Sequence, residues 1–306
     1  MPNLKDIVWV EKYRPKNFEE LCCTDETIKL LNNYLKDPAS LPSLIFYSTS
    51  PGTGKTSTAK IIADILGSDL LQINASEERG IDTIRDKVRV FCENLSSVRG
   101  VKRLVFLDEA DGLTKQAQES MKSLMETYSN NAFFILSCND YAKIIEPIRK
   151  GRCASISFET PDKGKILRRL GFILREEGLE ISVKEVEELI KSLFPDIRSM
   201  VLALQTASIE GKKTLVDVNG YNEFIKAMKD KNIKYLYDTV YSGRFDILAF
   251  NRYYFQKLFE SSDKVAPDRL AQLALILADN EKAWNIGANL EIIFLANTLE
   301  IMRTAK

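Results

Sequence analysis

Lys55 and Thr56 close a run of small residues that itself follows an apolar stretch, IFYSTSPGTGKTSTAKIIA at 45–63. A phosphate would explain why such residues gather at a strand end. Gly52 and Gly54 let backbone N–H groups curl around an anion, and a helix beginning near Lys55 turns its positive end toward it. Lys55 then reaches the outer phosphates and the Thr56 hydroxyl ligates Mg²⁺, with Thr53 and Ser57 completing the loop and the first helical turn. The common spacing is G-x-x-x-x-G-K-[ST], and Thr49 occupies the place of its first glycine. The bland alternative is a glycine-rich strand-to-helix turn with a surface lysine. The strand before and the helix after favour the phosphate loop.

A second chemical signal is LVFLDE at 104–109, four apolar residues ahead of two acids. A buried strand would deliver both acids to its carboxyl edge. There Asp108 holds Mg²⁺, directly or through water, and Glu109 orients an attacking water. Such a strand end standing alone would read as solvated; its position fifty-odd residues after a phosphate loop gives it a role. One strand later, SCN (137–139) places Asn139 where its amide could bond the water or the γ-phosphate, or simply shape a turn. GRC (151–153) puts Arg152 just before the last strand, as a surface charge or as a finger reaching into another subunit's nucleotide.

These residues need a scaffold, and the hydrophobic pattern supplies one. Apolar runs at 41–48, 70–76, 102–111, 132–139 and 153–159 alternate with amphipathic stretches at 56–67, 80–95 and 114–129. That alternation predicts a parallel sheet with helices on both faces. Beyond about residue 159 the strands stop, and helical periods follow at 162–178, 182–194 and 196–208, then from about 219 to the end. The division predicted is 1–158 for a nucleotide-binding domain, 159–218 for a small helical unit and 219–306 for a further helical domain. The last helices are rich in apolar residues, including Ile292, Ile293, Phe294, Leu295, Leu299 and Ile301, as an internal core or as an assembly surface.

Composition narrows the chemistry. The chain has 306 residues, 45% hydrophobic and 28% charged, with 43 basic and 43 acidic residues that cancel. Any basic surface for nucleic acid must therefore be local. With no histidine, His-based acid–base catalysis, Ser-His-Asp triads and His-ligated zinc are excluded. Five cysteines lack C-x-x-C spacing and read as reduced thiols packed as small hydrophobes. No apolar run approaches the roughly 20 residues of a membrane helix, and no signal peptide is visible, so a cytoplasmic protein is expected.

The order of EKYRP (11–15), PGTGKT (51–56), NASEERGID (74–82), FLDEAD (106–111), SCN, GRC and PDIR (195–198) resembles that of AAA+ sliding-clamp loader subunits. The chain resembles replication factor C small subunits, and looks closer still to the large, ATP-hydrolysing subunit of the tailed-phage clamp loader. This resemblance implies an α/β AAA+ module followed by a helical lid and an all-α collar. It implies ATP and Mg²⁺, and a pentameric ring of this chain with a clamp-loader small subunit, in host cytoplasm for a phage replisome. The ring would open a sliding clamp, load it onto primer–template DNA and leave after DNA-stimulated ATP hydrolysis during DNA replication.

The resemblance also assigns residues. Val10, Glu11, Lys12, Tyr13 and Cys22 form an adenine-facing wall. Arg198 is the lid arginine on the γ-phosphate, and Arg79 is a switch that restrains Glu109 until DNA binds. Arg85, Lys87 and Lys122 face DNA. Without it, each of these cations is a charge on an amphipathic helix. Besides Thr49, one departure stands out: Gly151 replaces the serine of S-R-C. Two rivals stay in view. DEAD at 108–111 also spells a helicase box, which would need a second α/β domain, and a loader scaffold without catalysis would lack some of Lys55, Asp108, Glu109 and Arg152.

Overall fold

A computed structural model describes residues 8–304 apart from 39, 78–80, 95–97, 99, 100, 212–217, 244, 262, 264 and 286. Five parallel strands, β1 (Ser43–Tyr47), β2 (Leu70–Asn74), β3 (Arg103–Asp108), β4 (Ala132–Cys138) and β5 (Cys153–Ser157), pair in the order β2-β3-β4-β1-β5. Helices α1 (Trp9–Lys12), α2 (Asp25–Leu35), α3 (Lys55–Leu66), α4 (Ile81–Glu93), α5 (Lys115–Thr127), α6 (Glu146–Arg149) and α7 (Lys163–Glu176) surround and follow the sheet. This is the parallel sheet with helices on both faces expected from the alternation of apolar runs.

The strands bury both faces because side chains alternate across a pleat. Ile45, Val105, Leu107, Phe134 and Leu136 meet α4 and α5 on one face. Leu44, Phe46, Leu104, Phe106, Phe133 and Ile135 meet α2 and α3 on the other. Each such side chain contributes about 1.5–3 kcal/mol by leaving water. All seven residues of β4 are buried, since it lies between β3 and β1 under both helical layers. Helix starts follow local chemistry: Thr24, Thr114 and Asp162 accept from backbone N–H groups three residues on.

The chain divides into two compact units, Met1–Glu180 with Phe194–Gly211, and Ile181–Leu193 with Lys212–Lys306. Helix α8 (Val183–Leu193) belongs to the second unit and α9 (Ile197–Glu210) to the first. The division predicted from the sequence joins both in the helical unit at 159–218.

The second unit contains α8 with α10 (Val218–Lys229), α11 (Ile233–Tyr241), α12 (Ile247–Glu260), α13 (Pro267–Asn285) and α14 (Leu290–Thr304). Phe224, Phe250 and Phe294 are fully buried at its centre, with ring centroids 4.9–5.8 Å apart. A buried amide ladder crosses it. Asn297 donates to Asn280 (2.8 Å), Asn280 to Asn251 (2.9 Å), and Asn251 to the Leu277 carbonyl (2.9 Å). Of the apolar residues of the last helix, Phe294 and Ile301 are core, whereas Ile292 and Leu299 are exposed.

Candidate nucleotide-binding site

The sheet order decides which loops meet. With β4 between β1 and β3, the carboxyl ends of three adjacent strands deliver the phosphate loop, Asn139 and the acidic pair to one place. The register brings Tyr47 opposite Cys138 and Leu107 opposite Leu136, so these strands end nearly level. The result is an open pocket lined by all three strand ends.

Gly52 (φ 70°) and Gly54 (φ 104°) take left-handed backbone conformations, which glycine adopts without the steric cost other residues meet. Gly54 is the N-cap of α3 and brings no side chain to it, so the first N–H groups of the helix are left to an incoming anion. The closeness of Gly52 to α9 is a second constraint: a Cβ there would fall 1.8 Å from Asp196 Oδ1. Asp196 in turn caps α9, accepting from the Ser199 N–H (3.1 Å) and hydroxyl (2.8 Å).

Lys55 is buried, and its ammonium donates to Asn139 Oδ1 (2.9 Å) and to the carbonyls of Ser50 (3.1 Å) and Ser48 (3.4 Å). Burial pushes its pKa below the ordinary lysine value, and the nearby Cys138, Asp108, Asp111 and Glu159 oppose that shift. Thr56 donates to the Asp108 carboxylate at 3.0 Å, which puts the two hard oxygen donors expected for Mg²⁺ side by side. Glu109 adopts a left-handed backbone (φ 55°), and its N–H donates to Ser137 Oγ at 3.0 Å. The same Ser137 hydroxyl donates to Asp108.

Opposite the loop, Val10, Tyr13, Leu21 and Cys22 share the pocket wall with Ile197, Arg198 and Val201 of α9 and with Arg169 of α7. Tyr13 packs edge-on against Trp9 and Phe172 at 6.2 and 6.3 Å. Burial raises the Cys22 thiol to about 11, so it packs as a neutral group.

Residues 45–161 match the ATPase family associated with various cellular activities (AAA). The chain is 38% identical over 271 residues to a replication factor C small subunit of Methanosarcina acetivorans, covering 86% of this chain and 79% of that one. It is 37% identical over 243 residues to the protein of the same name from Archaeoglobus fulgidus, covering 78% and 75%. It belongs to the replication factor C small-subunit family. A third member, from Sulfolobus acidocaldarius, is 35% identical over 246 residues, covering 79% of this chain and 74% of its own.

Of the site residues expected from sequence, the pocket of this replication factor C-like chain gathers Val10, Tyr13, Cys22, Gly52, Thr53, Gly54, Lys55, Thr56, Ser57, Asp108, Glu109, Asn139 and Arg198. Glu11 and Lys12 do not line it. Glu11 pairs with Arg14, and Lys12 pairs with Glu177 at 2.6 Å, because one turn of helix points their side chains away from the wall that Val10 and Tyr13 form. Arg152 lies at the other edge of the sheet. Its neighbour Cys153 pairs with Ser43, the first residue of β1, and a five-residue strand spans about 16 Å. There Arg152 pairs with Glu126 and shares a groove with Lys102 and Ser129. Gly151 has a structural reason, since a Cβ would meet the Pro147 carbonyl at 2.7 Å.

Arg79 lies outside the described residues. Arg85 and Lys87 are exposed on α4, and Lys122 is half-buried on α5, which packs against α4. Sequence reasoning missed three residues here. Ser137 stood within the quoted SCN, and Asp196 within PDIR, but nothing marked either. Arg169, in an ordinary amphipathic helix, donates to the Tyr13 carbonyl (2.8 Å) and pairs with Glu20 (3.0 Å).

Proposed function

We propose that this chain binds MgATP in the pocket, hydrolyses it to ADP and phosphate, and uses the cycle to open a sliding clamp and load it onto primer–template DNA during replication. One observation carries the reading. Lys55, Thr56, Asp108, Glu109, Asn139 and Arg198 converge on a single pocket, while Arg152 stands on the opposite edge of the same sheet. That separation supports Arg152 acting on the nucleotide of a neighbouring subunit.

In this reading Lys55 and the α3 N-terminus hold the outer phosphates, Thr56 and Asp108 hold Mg²⁺, and Glu109 orients the water while Asn139 and Arg198 address the γ-phosphate. Bound Mg²⁺ neutralises charge that builds on the phosphate oxygens. Val10, Tyr13 and Cys22 face the adenine. Residues 159–218 serve as lid and 219–306 as collar, with α8 packing against the collar helices. Exposed Ile233, Tyr237 and Tyr241 on α11 support collar contacts with other copies and a partner subunit in a pentamer. The phage-replisome setting and the cytoplasmic location rest on the sequence resemblance; no helix among the described residues is long and apolar enough to cross a membrane. A helicase reading loses support because the described residues after β5 form helices and no second sheet.

Arg85, Lys87 and Lys122 would meet DNA phosphates, and Arg79 would restrain Glu109 until they do. The test is steady-state ATPase of the assembled loader with and without clamp and primer–template DNA, on wild type, Glu109→Gln and Arg79→Ala. The expected result is stimulation of wild type by DNA, nucleotide binding without turnover for Glu109→Gln, and raised DNA-free turnover for Arg79→Ala. DNA-independent wild-type activity would sink the loader reading, and normal turnover by Glu109→Gln would remove that residue from its role.

A further inference from the structure

Thr49, the residue in place of the first loop glycine, does not adopt a left-handed backbone, so its position does not demand a glycine. Instead it is held by side-chain chemistry. Its N–H donates to Glu159 Oε1 at 3.0 Å and its hydroxyl to Glu159 Oε2 at 2.8 Å. The β1–β5 ladder delivers that carboxylate: the Phe158 N–H donates to the Tyr47 carbonyl at 2.8 Å, and Glu159 is the next residue. Hydrogen bonds to a charged acceptor are stronger than neutral ones, and two of them on one residue restrict its orientation.

The segment that begins at Glu159 also reaches the base end of the pocket. The Asp162 N–H donates to the Cys22 carbonyl at 2.7 Å, and Lys165 Nζ donates to the Cys23 carbonyl at 2.8 Å. Asp162 then caps α7 through Lys165 N–H at 2.8 Å. One short connector and the first turn of α7 thus grip the phosphate loop at Thr49 and the backbone of the pocket wall at Cys22 and its neighbour Cys23.

We infer that Glu159 is a positioning residue of the nucleotide site: it clamps Thr49 so that the phosphate loop is ordered before nucleotide arrives and moves with the lid connector. The inference rests on the ATP reading of the pocket. Without the clamp, the entry to the loop must be ordered by the nucleotide itself, and that ordering opposes binding. The effect falls on affinity more than on the chemical step, since Glu159 touches none of the residues that address the γ-phosphate.

The experiment is a titration of the full chain with a fluorescent ATP analogue, competed by unlabelled MgATP, alongside thermal melting with and without MgATP. Glu159→Ala should weaken ATP binding about 5- to 30-fold, the effect of losing charged hydrogen bonds that are partly exposed. It should also raise KM for ATP more than it lowers kcat. Thr49→Ser, which keeps both donors, should bind within about twofold of wild type, and Thr49→Val should fall between the two. The double variant Thr49→Val with Glu159→Ala should be no weaker than Glu159→Ala alone, because the two groups act as one pair. Glu159→Gln, which keeps an acceptor but no charge, should lose less than Glu159→Ala.

Binding by Glu159→Ala within twofold of wild type would overturn the clamp while leaving the ATP site intact. So would equal effects of Gln and Ala, which would mean that charge alone acts, or a drop in the ligand-free melting midpoint as large as the drop with MgATP. Failure of the wild-type chain to bind ATP would overturn the pocket reading and this inference together.

Discussion

Ser137 shows how one hydroxyl can set the geometry of two acids. Its oxygen accepts from the Glu109 N–H and its proton goes to Asp108, so it holds Glu109 in the left-handed conformation and aims the Asp108 carboxylate at Thr56. Left-handed backbone at a non-glycine residue costs of order 1–3 kcal/mol and persists where neighbours enforce it. Ser137→Ala should lower kcat about 10- to 100-fold, as removal of groups that orient metal ligands typically does, and raise the Mg²⁺ concentration needed for half-maximal rate. Thr at this position should retain most activity. Nucleotide binding in the absence of Mg²⁺, read by fluorescence titration, should be near wild type for both. A Ser137→Ala protein with wild-type kcat and Mg²⁺ dependence would show that the two acids orient themselves.

At the scale of elements, the phosphate loop and α9 are fitted so closely that Gly52 answers to both. Its φ of 70° costs a residue with a Cβ about 1–2 kcal/mol, and that Cβ would lie 1.8 Å from Asp196 Oδ1. Gly52→Ala should therefore displace the cap of α9 as well as the loop. The expected outcome is at least a tenfold loss of ATP affinity with a lowered melting midpoint, and shortening the acid by Asp196→Ala should restore part of the affinity. Lack of any restoration would mean that backbone strain, rather than the collision, dominates. In the second unit the amide ladder plays a comparable part. Asn280 is 1% exposed and bonded on both sides, so Asn280→Ala should cost about 1–3 kcal/mol in denaturant unfolding, because its partners are left buried without mates.

For the whole molecule, the separation of Arg152 from its own pocket has a functional consequence. An arginine at the amino edge of the sheet lies away from a pocket at the carboxyl edge, so under the proposed function Arg152 would act on the nucleotide of a neighbouring subunit. Arg152→Ala should depress hydrolysis by roughly 10³–10⁵-fold in a uniform ring. Mixing Arg152→Ala chains with Lys55→Ala chains should recover activity, since some interfaces then pair an intact pocket with an intact arginine. With assembly verified, absence of recovery at every mixing ratio would remove Arg152 from a trans role. Glu126 holds Arg152 in an exposed pair of small energetic worth, so in the trans role its release toward a neighbouring phosphate would meet little resistance.

What the sequence determined by itself was local chemistry and period. The glycines and lysine of the phosphate loop, the acids after an apolar strand and the switch from period two to period 3.6 each lie within a few consecutive residues, and a single residue type carries each physical effect. Those signals were enough for a parallel sheet with helices on both faces and for the phosphate-loop and acidic side of the pocket; the AAA+ assignment, Val10, Tyr13, Cys22 and Arg198 came from the family resemblance. Tertiary structure decided what depends on partners far apart in the chain. The insertion of β4 between β1 and β3 placed Ser137 beneath both acids, and one turn of α1 turned Glu11 and Lys12 away while Val10 and Tyr13 faced inward. Arg169 and Asp196 reach the site from helices whose sequences look ordinary, α8 joins the C-terminal helices, and Thr49 meets Glu159 across 110 residues of chain. Such pairings follow from strand order and helix rotation, which are settled by burying all the apolar faces at once and leave no mark in any short stretch of sequence.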